Sequence, residues 1–474
     1  MLGLVFYSVV AAGLGGLLPI SHQSNLSMVG IRFSLGYATM VISVYIAHVL
    51  LGFPLRATVI GLIVFSIVGF LALIRRQKDG AAFQRLLIHP ALLLIILGIA
   101  AVTYNGGIDY LPYTHDEFSH WLATPHFIHM GGSWAAAVGE LHFPFYTPGW
   151  QLTLLLPWQI FGKEDFGMSA AAPFVLHVTV IALIYDLVIF QLRSNLSFAP
   201  HKVTLAAWAF VLFFLTAEGM GLLWTPVLLI EQPQIYSYTT ILLLILAAEI
   251  TGQDRKSFYG IAGTVLASAY LYKVAALIFV PATLGLLCLF LIDRTNPIFD
   301  RFKIAILKGA LLAGPILFTM ISWLITVKSN TCSPLSLSAD QMAHISTLDW
   351  KGLAVRYSSA IGAYVISYKL ILTIAASVGV IAAFTTGKYR GTLVFILLSA
   401  VYFLLLYVYH LTCFGPYYFE TLNSIPRFTR VPLQVFHAFG LVMLFGSTLH
   451  YAKKRNINIL NSYGHQPWIF MALI

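Results

Sequence analysis

The chain has 474 residues, of which 59% are hydrophobic and only 9% are charged. Soluble domains carry about 25% charged residues, so this composition excludes a soluble globular protein and indicates an integral membrane protein. The formal net charge of +10 does not indicate nucleic-acid binding, because the basic residues cluster in short loops between apolar runs, as the positive-inside rule requires. Three cysteines are too few for a disulfide framework or a cysteine-ligated zinc site.

Apolar runs of about 17–25 residues recur along the chain, and each can cross a hydrocarbon core of about 30 Å as a helix. The first three runs, 2–20, 35–52 and 57–74, end at a basic cluster at 75–78, which marks the cytoplasmic side. The next run, 87–104, therefore leads to the outer face, and counting backwards places the N-terminus outside. The first run has no basic segment before it, so we expect a retained span and not a cleaved signal peptide.

The segment after the first outer loop, residues 143–162, has an apolar core of only about 14 residues and contains Pro157. This length is short for a span and typical of an interfacial or re-entrant helix. Arg193 marks the next cytoplasmic loop, so only one crossing, 167–191, fits before it. We therefore expect residues 116–162 to form an outer-face juxtamembrane platform of helices lying along the membrane surface.

The remaining apolar runs alternate with further outer loops. The second outer loop, 219–236, contains Glu231, and the fourth outer loop is 415–430. A lone lysine, Lys273, lies at the turn between two paired apolar runs. The sequence thus predicts an all-α, polytopic transmembrane protein with about 13 spans. The spans after the first outer loop are 167–191, 203–217, 237–251, 258–272, 274–292, 304–327, 365–386, 392–412 and 432–450.

The stretch Tyr110–Trp134 in the first outer loop concentrates acids and imidazoles in a region, 86–162, that contains no Lys or Arg. Asp116 and Glu117 are adjacent, and adjacent side chains on a helix point about 100° apart, so we expect different roles. A carboxylate at a membrane surface can deprotonate an acceptor hydroxyl or hold a divalent cation. Asp116 is therefore the principal catalytic candidate and Glu117 the second. The alternative is a solvated helix start, with Thr114 and Glu117 forming a capping box.

Histidines flank the two acids. His120 follows Asp116 by four residues, a spacing that puts both on one face of a helix, and His115 directly precedes Asp116. We expect both histidines to bind substrate. His126 and His129 are three residues apart, but the tighter H-E-x-x-H pattern of zinc hydrolases is absent. Ordinary hydrogen bonding is the favoured interpretation for this second pair.

Three cations in the outer loops are candidates for binding a phosphate. Arg427 and Arg430 break the positive-inside pattern, and arginine binds phosphate through a planar fork of donors. The alternative for these arginines is a surface ion pair with Glu420. Lys273 lies at an outer-side turn, where snorkelling of the side chain to the interface is the alternative to anion binding.

Three further features of the outer loops are open to two interpretations each. Glu231 could position a donor or share a metal ion with the catalytic aspartate, and Glu218 competes with it for this role. Tyr113 could stack on a sugar ring, although an interfacial aromatic belt explains it equally well. Cys332 and Cys413 fall in loops predicted on the same side, where a disulfide or two free thiols would fit.

Three motifs together resemble the GT-C superfamily of integral membrane glycosyltransferases, which use polyprenyl-phosphate-linked sugars. They are the acidic pair in THDEFSHW, the aromatic-proline helix start FPFYTPGW and the lone lysine in YLYKVAALIFVPATLGLL. The resemblance covers about residues 87–292, with a weaker similarity at 415–450. It implies a catalytic transmembrane core at 87–292 with an acidic outer loop at 105–148, N-terminal extra spans at 1–86, and C-terminal spans and outer loops at 293–474.

The resemblance implies that Asp116 matches the family's catalytic aspartate and Glu117 its acidic neighbour, while Lys273 and Arg430 loosely match cations near the lipid phosphate. The implied reaction is hexosyl or pentosyl transfer, with inversion, from a polyprenyl-phosphate-linked donor to a glycan, lipid or protein acceptor. We expect a role in polysaccharide biosynthesis of the cell envelope, in a bacterial inner (plasma) membrane with the active site on the periplasmic side. Mg²⁺ or Mn²⁺ is the candidate metal.

Two other classes of protein are compatible with the same features. A polysaccharide polymerase or O-antigen ligase is also a lipid-linked transferase, but it would depend more on outer-loop arginines and histidines than on an early acid pair. A transporter would need ionisable residues near the bilayer midplane, and Asp186 is the candidate for that role.

Overall fold

The computed structural model describes most of the chain. The described residues are 1–17, 29–76, 87–134, 136–137, 146–195, 199–219, 228–251, 256–292, 297–326, 343, 346–347, 349–367, 370–386, 390–412, 421–422 and 424–454. Within these ranges the protein is entirely helical and contains no strand, which confirms the all-α prediction.

Sixteen helices make up the described part, and several change type along their length. In chain order they are α1 (Leu2–Leu17), α2 (Val29–Val44, continuing as a π-helix over Tyr45–Leu50), α3 (Leu55–Arg76), α4 (Pro90–Tyr104), α5 (π-helical over Glu117–Leu122, then Ala123–His129), α6 (Gly149–Phe161), α7 (Phe166–Asn195), α8 (Pro200–Gly219), α9 (Glu231–Ile250), α10 (Lys256–Tyr272), α11 (3₁₀ over Val274–Ile278, then Phe279–Ile292), α12 (Ile298–Thr326), α13 (Trp350–Ser367), α14 (Leu370–Thr385), α15 (Arg390–Thr412) and α16 (Ile425–Lys454).

Each of the predicted apolar runs overlaps a helix, but not every helix is long enough to span a bilayer. Among the described residues, seven helices are long and apolar enough, namely α2, α3, α7, α9, α12, α15 and α16, and the bent pair α13–α14 would make eight. Helices α1 and α4 are apolar but have only 16 and 15 residues. At 1.5 Å per residue they are shorter than a hydrocarbon core of about 30 Å.

Helix α7 is the centre of the bundle. Its span is 94% buried, and it packs against α1, α2, α4, α6, α8, α9 and α16. The N-terminal helices are therefore part of the same helical body as the segments that follow. Helices α3, α12 and α15 lie at the periphery, with only 22%, 33% and 39% of their spans buried, and they present apolar surface outward, as helices in contact with lipid do.

Three helices begin earlier than the apolar pattern predicts. Helix α9 begins at Glu231 and not after 236, α12 begins at Ile298, and α16 begins at Ile425. The prediction that 219–236 and 415–430 are loops throughout is therefore wrong at their C-terminal ends. The polar first turn of α9 is buried by neighbouring helices, including the side chains of Gln232 and Gln234. Pro233 is tolerated because a first turn needs no intrahelical N–H donor there.

Helix α6 is embedded among other helices. All ten residues from Gly149 to Trp158 are buried, and the helix contacts α2, α3, α5, α7 and α10. It ends at Gly162, whose positive φ of 66° provides a left-handed cap. A helix buried on every side suits the re-entrant alternative better than a helix lying flat on the membrane surface.

Segments assigned by the basic residues to one side of the membrane meet at one end of the bundle. The Glu249 carboxylate accepts hydrogen bonds from the backbone N–H groups of Arg390 (2.7 Å) and Gly391 (3.3 Å). Lys453 donates to the Ser194 carbonyl at 2.8 Å. At the start of α4, His89 lies 3.1 Å from Asp186. The contact between Lys453 and Ser194 joins two predicted cytoplasmic segments, whereas His89 and Asp186 both lie within predicted spans. The candidate site lies among the segments at the other end.

Candidate functional site

Four charged side chains from four separate segments form one connected cluster, which we call the charge cluster: Asp116, Glu231, Lys273 and Arg427. Asp116 precedes α5, Glu231 begins α9, Lys273 separates α10 from α11, and Arg427 lies in the first turn of α16. The acids and cations alternate through space, with Arg427 between the two carboxylates.

Arg427 is the centre of the charge cluster. Its Nη1 donates to Oδ2 of Asp116, and its Nε donates to Oε1 of Glu231 at 2.9 Å. The two bonds connect residues 311 and 196 positions apart in sequence. A single guanidinium therefore holds the first outer segment to the second and fourth.

Lys273 is directed into the cluster by a break in the helix. Its backbone is extended, with φ −156° and ψ 135°, so α10 ends and the 3₁₀ turn of α11 begins after it. The Lys273 Nζ lies 4.0 Å from Oε1 of Glu231 and 5.0 Å from the centre of the Phe428 ring. Arg427 lies 5.7 Å from the same ring, so Phe428 contacts both cations through its face.

The four side chains are unequally exposed. Glu231 is only 6% exposed, whereas Lys273, Asp116 and Arg427 are 23%, 29% and 35% exposed. The Glu231 Oε2 atom is buried without a hydrogen-bond partner among the described residues. The cluster therefore has a closed side at Glu231 and an open side at Asp116 and Arg427.

The charges perturb one another's pKa values. Burial alone would raise the pKa of Asp116, but the Arg427 guanidinium, helped by His120 and His115, outweighs burial and lowers that pKa. Burial lowers the pKa of Lys273, and Glu231 opposes that effect. Burial likewise lowers the pKa of His120, against the influence of Asp116. At neutral pH, Asp116 is therefore an ionised carboxylate beside a neutral His120.

The histidines nearest Asp116 lie where the spacing predicts. His120 Nε2 and His115 Nδ1 are each 3.9 Å from Asp116 Oδ1. His115 is exposed, while the His120 side chain is only 12% exposed and its ring lies 5.5 Å from that of Tyr146. Both histidines belong to the open side of the charge cluster. His120 lies on the π-helical turn Glu117–Leu122, a helix type that is frequent at functional sites.

Glu117 lies in a different network. Its carboxylate is completely buried and accepts hydrogen bonds from the Tyr110 hydroxyl, from the backbone N–H groups of Tyr113 (3.1 Å) and Thr114 (3.0 Å), and from the backbone N–H of Leu228 (2.9 Å). Thr114 Oγ1 in turn accepts from the Glu117 N–H at 3.4 Å, which completes the capping box. These donors, the Tyr110 hydroxyl first among them, lower the pKa of Glu117 against the effect of burial. The two adjacent acids thus have different surroundings.

Arg430 and Tyr113 lie beside the charge cluster and not within it. The Arg430 Nε is buried and has no hydrogen-bond partner in the described part of the chain. Tyr113 is exposed. Its pKa is raised by burial and by Glu117, and the charge of Arg430 opposes that shift. Arg430 follows Arg427 by three residues in α16.

The remaining outer-segment candidates are distributed elsewhere. His126 Nδ1 lies 2.9 Å from Glu164 Oε2, and the His129 ring lies 5.8 Å from that of Trp158, so these histidines make ordinary contacts, as expected. The structure does not describe the other residues that the sequence suggested. These are Cys332, Cys413, Glu420 and the side chain of Glu218.

The carboxylates of the charge cluster do not fit a resident Mg²⁺ or Mn²⁺ in this arrangement. Asp116 and Glu231 share the Arg427 guanidinium, which lies where a bridging cation would lie. The residues that the structure describes contain no group of three or more His, Cys, Asp and Glu side chains arranged to hold an ion. Mg²⁺ requires about six oxygen ligands in octahedral geometry, and two carboxylates already paired with an arginine do not supply them.

Two contributors to the site were not identified from the sequence. Phe428 contacts both cations, and Leu228 connects to both Glu117 and Trp150, whose indole N–H donates to its carbonyl at 2.8 Å. A phenylalanine and a leucine in a protein that is 59% hydrophobic carry no distinguishing signal. Their roles depend on which segments are adjacent in space.

No family model, curated protein or solved structure matches this chain.

Proposed function

We propose that the protein is a polyprenyl-phosphate-dependent membrane glycosyltransferase, with the charge cluster as its active site on the outer membrane face. The observation that carries the proposal is the convergence of Asp116, Glu231, Lys273 and Arg427 from four distant segments at one end of the bundle. Paired charges are costly to keep near a bilayer. A cluster that remains partly open is better explained by an anionic ligand with a reacting hydroxyl than by stability alone.

The proposed reaction replaces one bond to the anomeric carbon by another. The bond from that carbon to a phosphate oxygen breaks, and its electron pair remains on the phosphate. The oxygen of an acceptor hydroxyl forms the new bond from the opposite face, with inversion, and its proton passes to Asp116. Arg427 and Lys273 stabilise the charge that develops on the departing phosphate. Arg430, three residues after Arg427, and Tyr113, three residues before Asp116, would contact the same lipid or its sugar.

Glu231 is suited to recognise the donor sugar. One of its oxygens binds Arg427, while the buried Oε2 has no partner among the described residues. An unpaired carboxylate oxygen in a buried position is unfavourable by about 1–3 kcal/mol or more. A sugar hydroxyl that donates to it would remove this cost. His115 and His120 on the open side are placed to contact the acceptor.

A lipid-linked donor also agrees with the membrane arrangement. The proposed topology has about 13 crossings, in which α1, α4, α8, α10 and α11 complete the count, the shortest of them with local thinning of the bilayer. The site then faces the periplasmic side of a bacterial inner membrane, with α5 on the outer face and α6 as a re-entrant helix behind it. The phosphate rests at the interface while the prenyl chain remains in hydrocarbon.

The test is a transfer assay. Membranes containing the full chain are incubated with a panel of polyprenyl-phosphate sugars labelled in the sugar, together with cell-envelope glycan, lipid and peptide acceptors. Transfer by the wild type and its loss in Asp116→Asn, at equal protein levels, is the expected result. An Asp116→Asn variant that is folded and fully active would refute the assignment of Asp116.

The central position of Arg427 supports a second candidate, the polysaccharide polymerase or O-antigen ligase class. Both classes take a lipid-linked glycan, but the ligase class depends on outer-loop arginines. Arg427→Gln and Asp116→Asn distinguish them when both are assayed with single-sugar and with oligosaccharide donors. If both variants lose transfer from a monosaccharide donor, the result favours the glycosyltransferase. If the wild type transfers only from oligosaccharide donors and Asp116→Asn retains that activity, the result favours the polymerase or ligase.

A further inference from the structure

The guanidinium of Arg427 is shared by two carboxylates, so a phosphate that binds it meets competition. Its Nη1 is engaged by Asp116 and its Nε by Glu231. A guanidinium offers five N–H donors in a fixed planar fork, and a phosphate prefers two of them at once. The guanidinium has two such forks, Nε with Nη2 and Nη1 with Nη2, and each includes a nitrogen that a carboxylate already engages. A lipid phosphate that binds through either fork therefore competes with one of the existing carboxylate contacts.

The exposure of the two acids indicates which contact is exchanged. Glu231 is 6% exposed and has Lys273 as a second cation 4.0 Å away, so its contact with Arg427 is on the closed side. Asp116 is 29% exposed, and solvent-accessible ion pairs are weak and readily exchanged. The bond between Asp116 and Arg427 is therefore the one that an incoming anion can replace.

We infer that the phosphate of a lipid-linked ligand and the Asp116 carboxylate compete for Arg427, so that binding of the lipid phosphate is what releases Asp116 to act on an acceptor. The inference rests on the proposed function, and it adds that the lipid phosphate binds before Asp116 acts. Glu231 keeps Arg427 in place throughout, while Asp116 is held by the arginine until the phosphate arrives.

Release would also change the chemistry of Asp116. In the observed arrangement, Arg427 lowers the pKa of Asp116 against the effect of burial, and a carboxylate with a low pKa is a weak base. Once a phosphate takes over Arg427, that influence is reduced, and His115 and His120 remain beside Asp116, each 3.9 Å away. Asp116 therefore becomes an effective base only after Arg427 has bound the phosphate that will leave.

The inference is tested by binding and does not require a known sugar or acceptor. The full chain in detergent micelles is titrated with farnesyl phosphate by calorimetry, with inorganic phosphate and farnesol in parallel. Asp116→Asn removes the competing charge, so we expect it to bind farnesyl phosphate about five-fold more tightly than the wild type, within the range of an accessible ion pair. We expect inorganic phosphate and farnesol to bind much more weakly, because each supplies half of the ligand.

Asp109→Asn is the matched control. Asp109 is an exposed acid in the same outer segment, so its substitution changes the net charge equally without removing a contact to Arg427. We expect its affinity to equal that of the wild type. Asp116→Ser provides a second variant without the competing carboxylate, and thermal unfolding checks that each variant is folded.

The outcomes separate the two proposals. Equal affinity of the wild type and both Asp116 variants, or equal tightening in Asp109→Asn, would overturn the competition while leaving the lipid-phosphate site intact. If inorganic phosphate binds as tightly as farnesyl phosphate, the site binds a free anion, and the proposal of a lipid-linked ligand is overturned. Absence of farnesyl phosphate binding to any protein, the wild type included, would overturn the proposed function itself.

Discussion

The Glu117 carboxylate accepts a hydrogen bond of 2.9 Å from the backbone N–H of Leu228. This bond joins the segment that carries Asp116 to the residue three positions before Glu231. The same carboxylate organises the turn from Tyr110 to Thr114. The distance between Asp116 and Glu231, the two acids that bind Arg427, therefore depends on Glu117. Glu117 itself does not belong to the charge cluster.

Substitution of Glu117 should consequently affect folding more than substitution of Asp116. Glu117→Gln replaces one acceptor oxygen by a donor that faces N–H and O–H groups, and lost hydrogen bonds to a buried charge cost about 1.5–3 kcal/mol each. We expect the apparent Tm in detergent to fall by several degrees, and by less in Asp116→Asn. Glu164→Gln, which changes an acid paired with exposed His126, is the control. An unchanged Tm in Glu117→Gln would contradict the role of Glu117 as a connector.

Arg427→Lys should abolish most transfer although it preserves the charge. A lysine ammonium has no planar fork and cannot hold both Asp116 and Glu231 in the observed way. We expect a loss of about 100-fold in the transfer rate, which is typical of removing a group that stabilises developing charge. Arg356→Lys, at an exposed arginine of α13, should leave the rate unchanged. Full activity of Arg427→Lys would show that only a positive charge is needed.

The contribution of Asp116 to stability should depend on pH in one direction. Its pKa in the folded protein is lowered relative to the ordinary value of about 3.9. The charge therefore stabilises the folded state above about pH 4, and this stabilisation is lost as the pH falls through the lower folded pKa. The difference in Tm between the wild type and Asp116→Asn should shrink as the pH falls below about 4. A difference that grows below that pH would reverse the sign of the shift.

Cysteine labelling should place the charge cluster on the outer face. Lys163 and Asp109 are exposed at the end of the bundle that carries the charge cluster. Each is replaced by cysteine in a background without native cysteines. We expect a membrane-impermeant maleimide to label them in intact cells. Lys202→Cys and Lys453→Cys, exposed at the other end, should react only after the membrane is opened. The inverse pattern would place the site in the cytosol and remove the periplasmic assignment.

Metal chelation should have little effect on transfer if Arg427 provides the positive charge between the two carboxylates. We expect EDTA-treated membranes to retain most of their activity, and Mg²⁺ or Mn²⁺ to give less than about a two-fold increase, since the cluster already neutralises a leaving phosphate. Activity that disappears with EDTA and returns with Mn²⁺ would instead show that Asp116 and Glu231 leave Arg427 to bind a metal.

Local patterns predicted much of the architecture because they depend on neighbours in sequence. Hydropathy over about 20 residues identified the apolar segments, and each of them overlaps a helix in its described part. The four-residue spacing of Asp116 and His120, and the three-residue spacing of Thr114 and Glu117, predicted contacts within one turn. Both are present in the structure. Helix starts were less well predicted, because the polar first turn of α9 is buried by other helices.

The sequence by itself determined that this is an all-helical membrane protein whose charged residues lie mostly in the segments between apolar runs, because burial in lipid requires apolar helices and leaves few places for charge. Only the tertiary structure decided that Arg427 contacts Asp116 and Glu231, that Lys273 joins them, and that Glu117 belongs to a separate buried network. Residues 196 and 311 positions apart are brought together by packing among many helices, and no local spacing records which ends of those helices become neighbours.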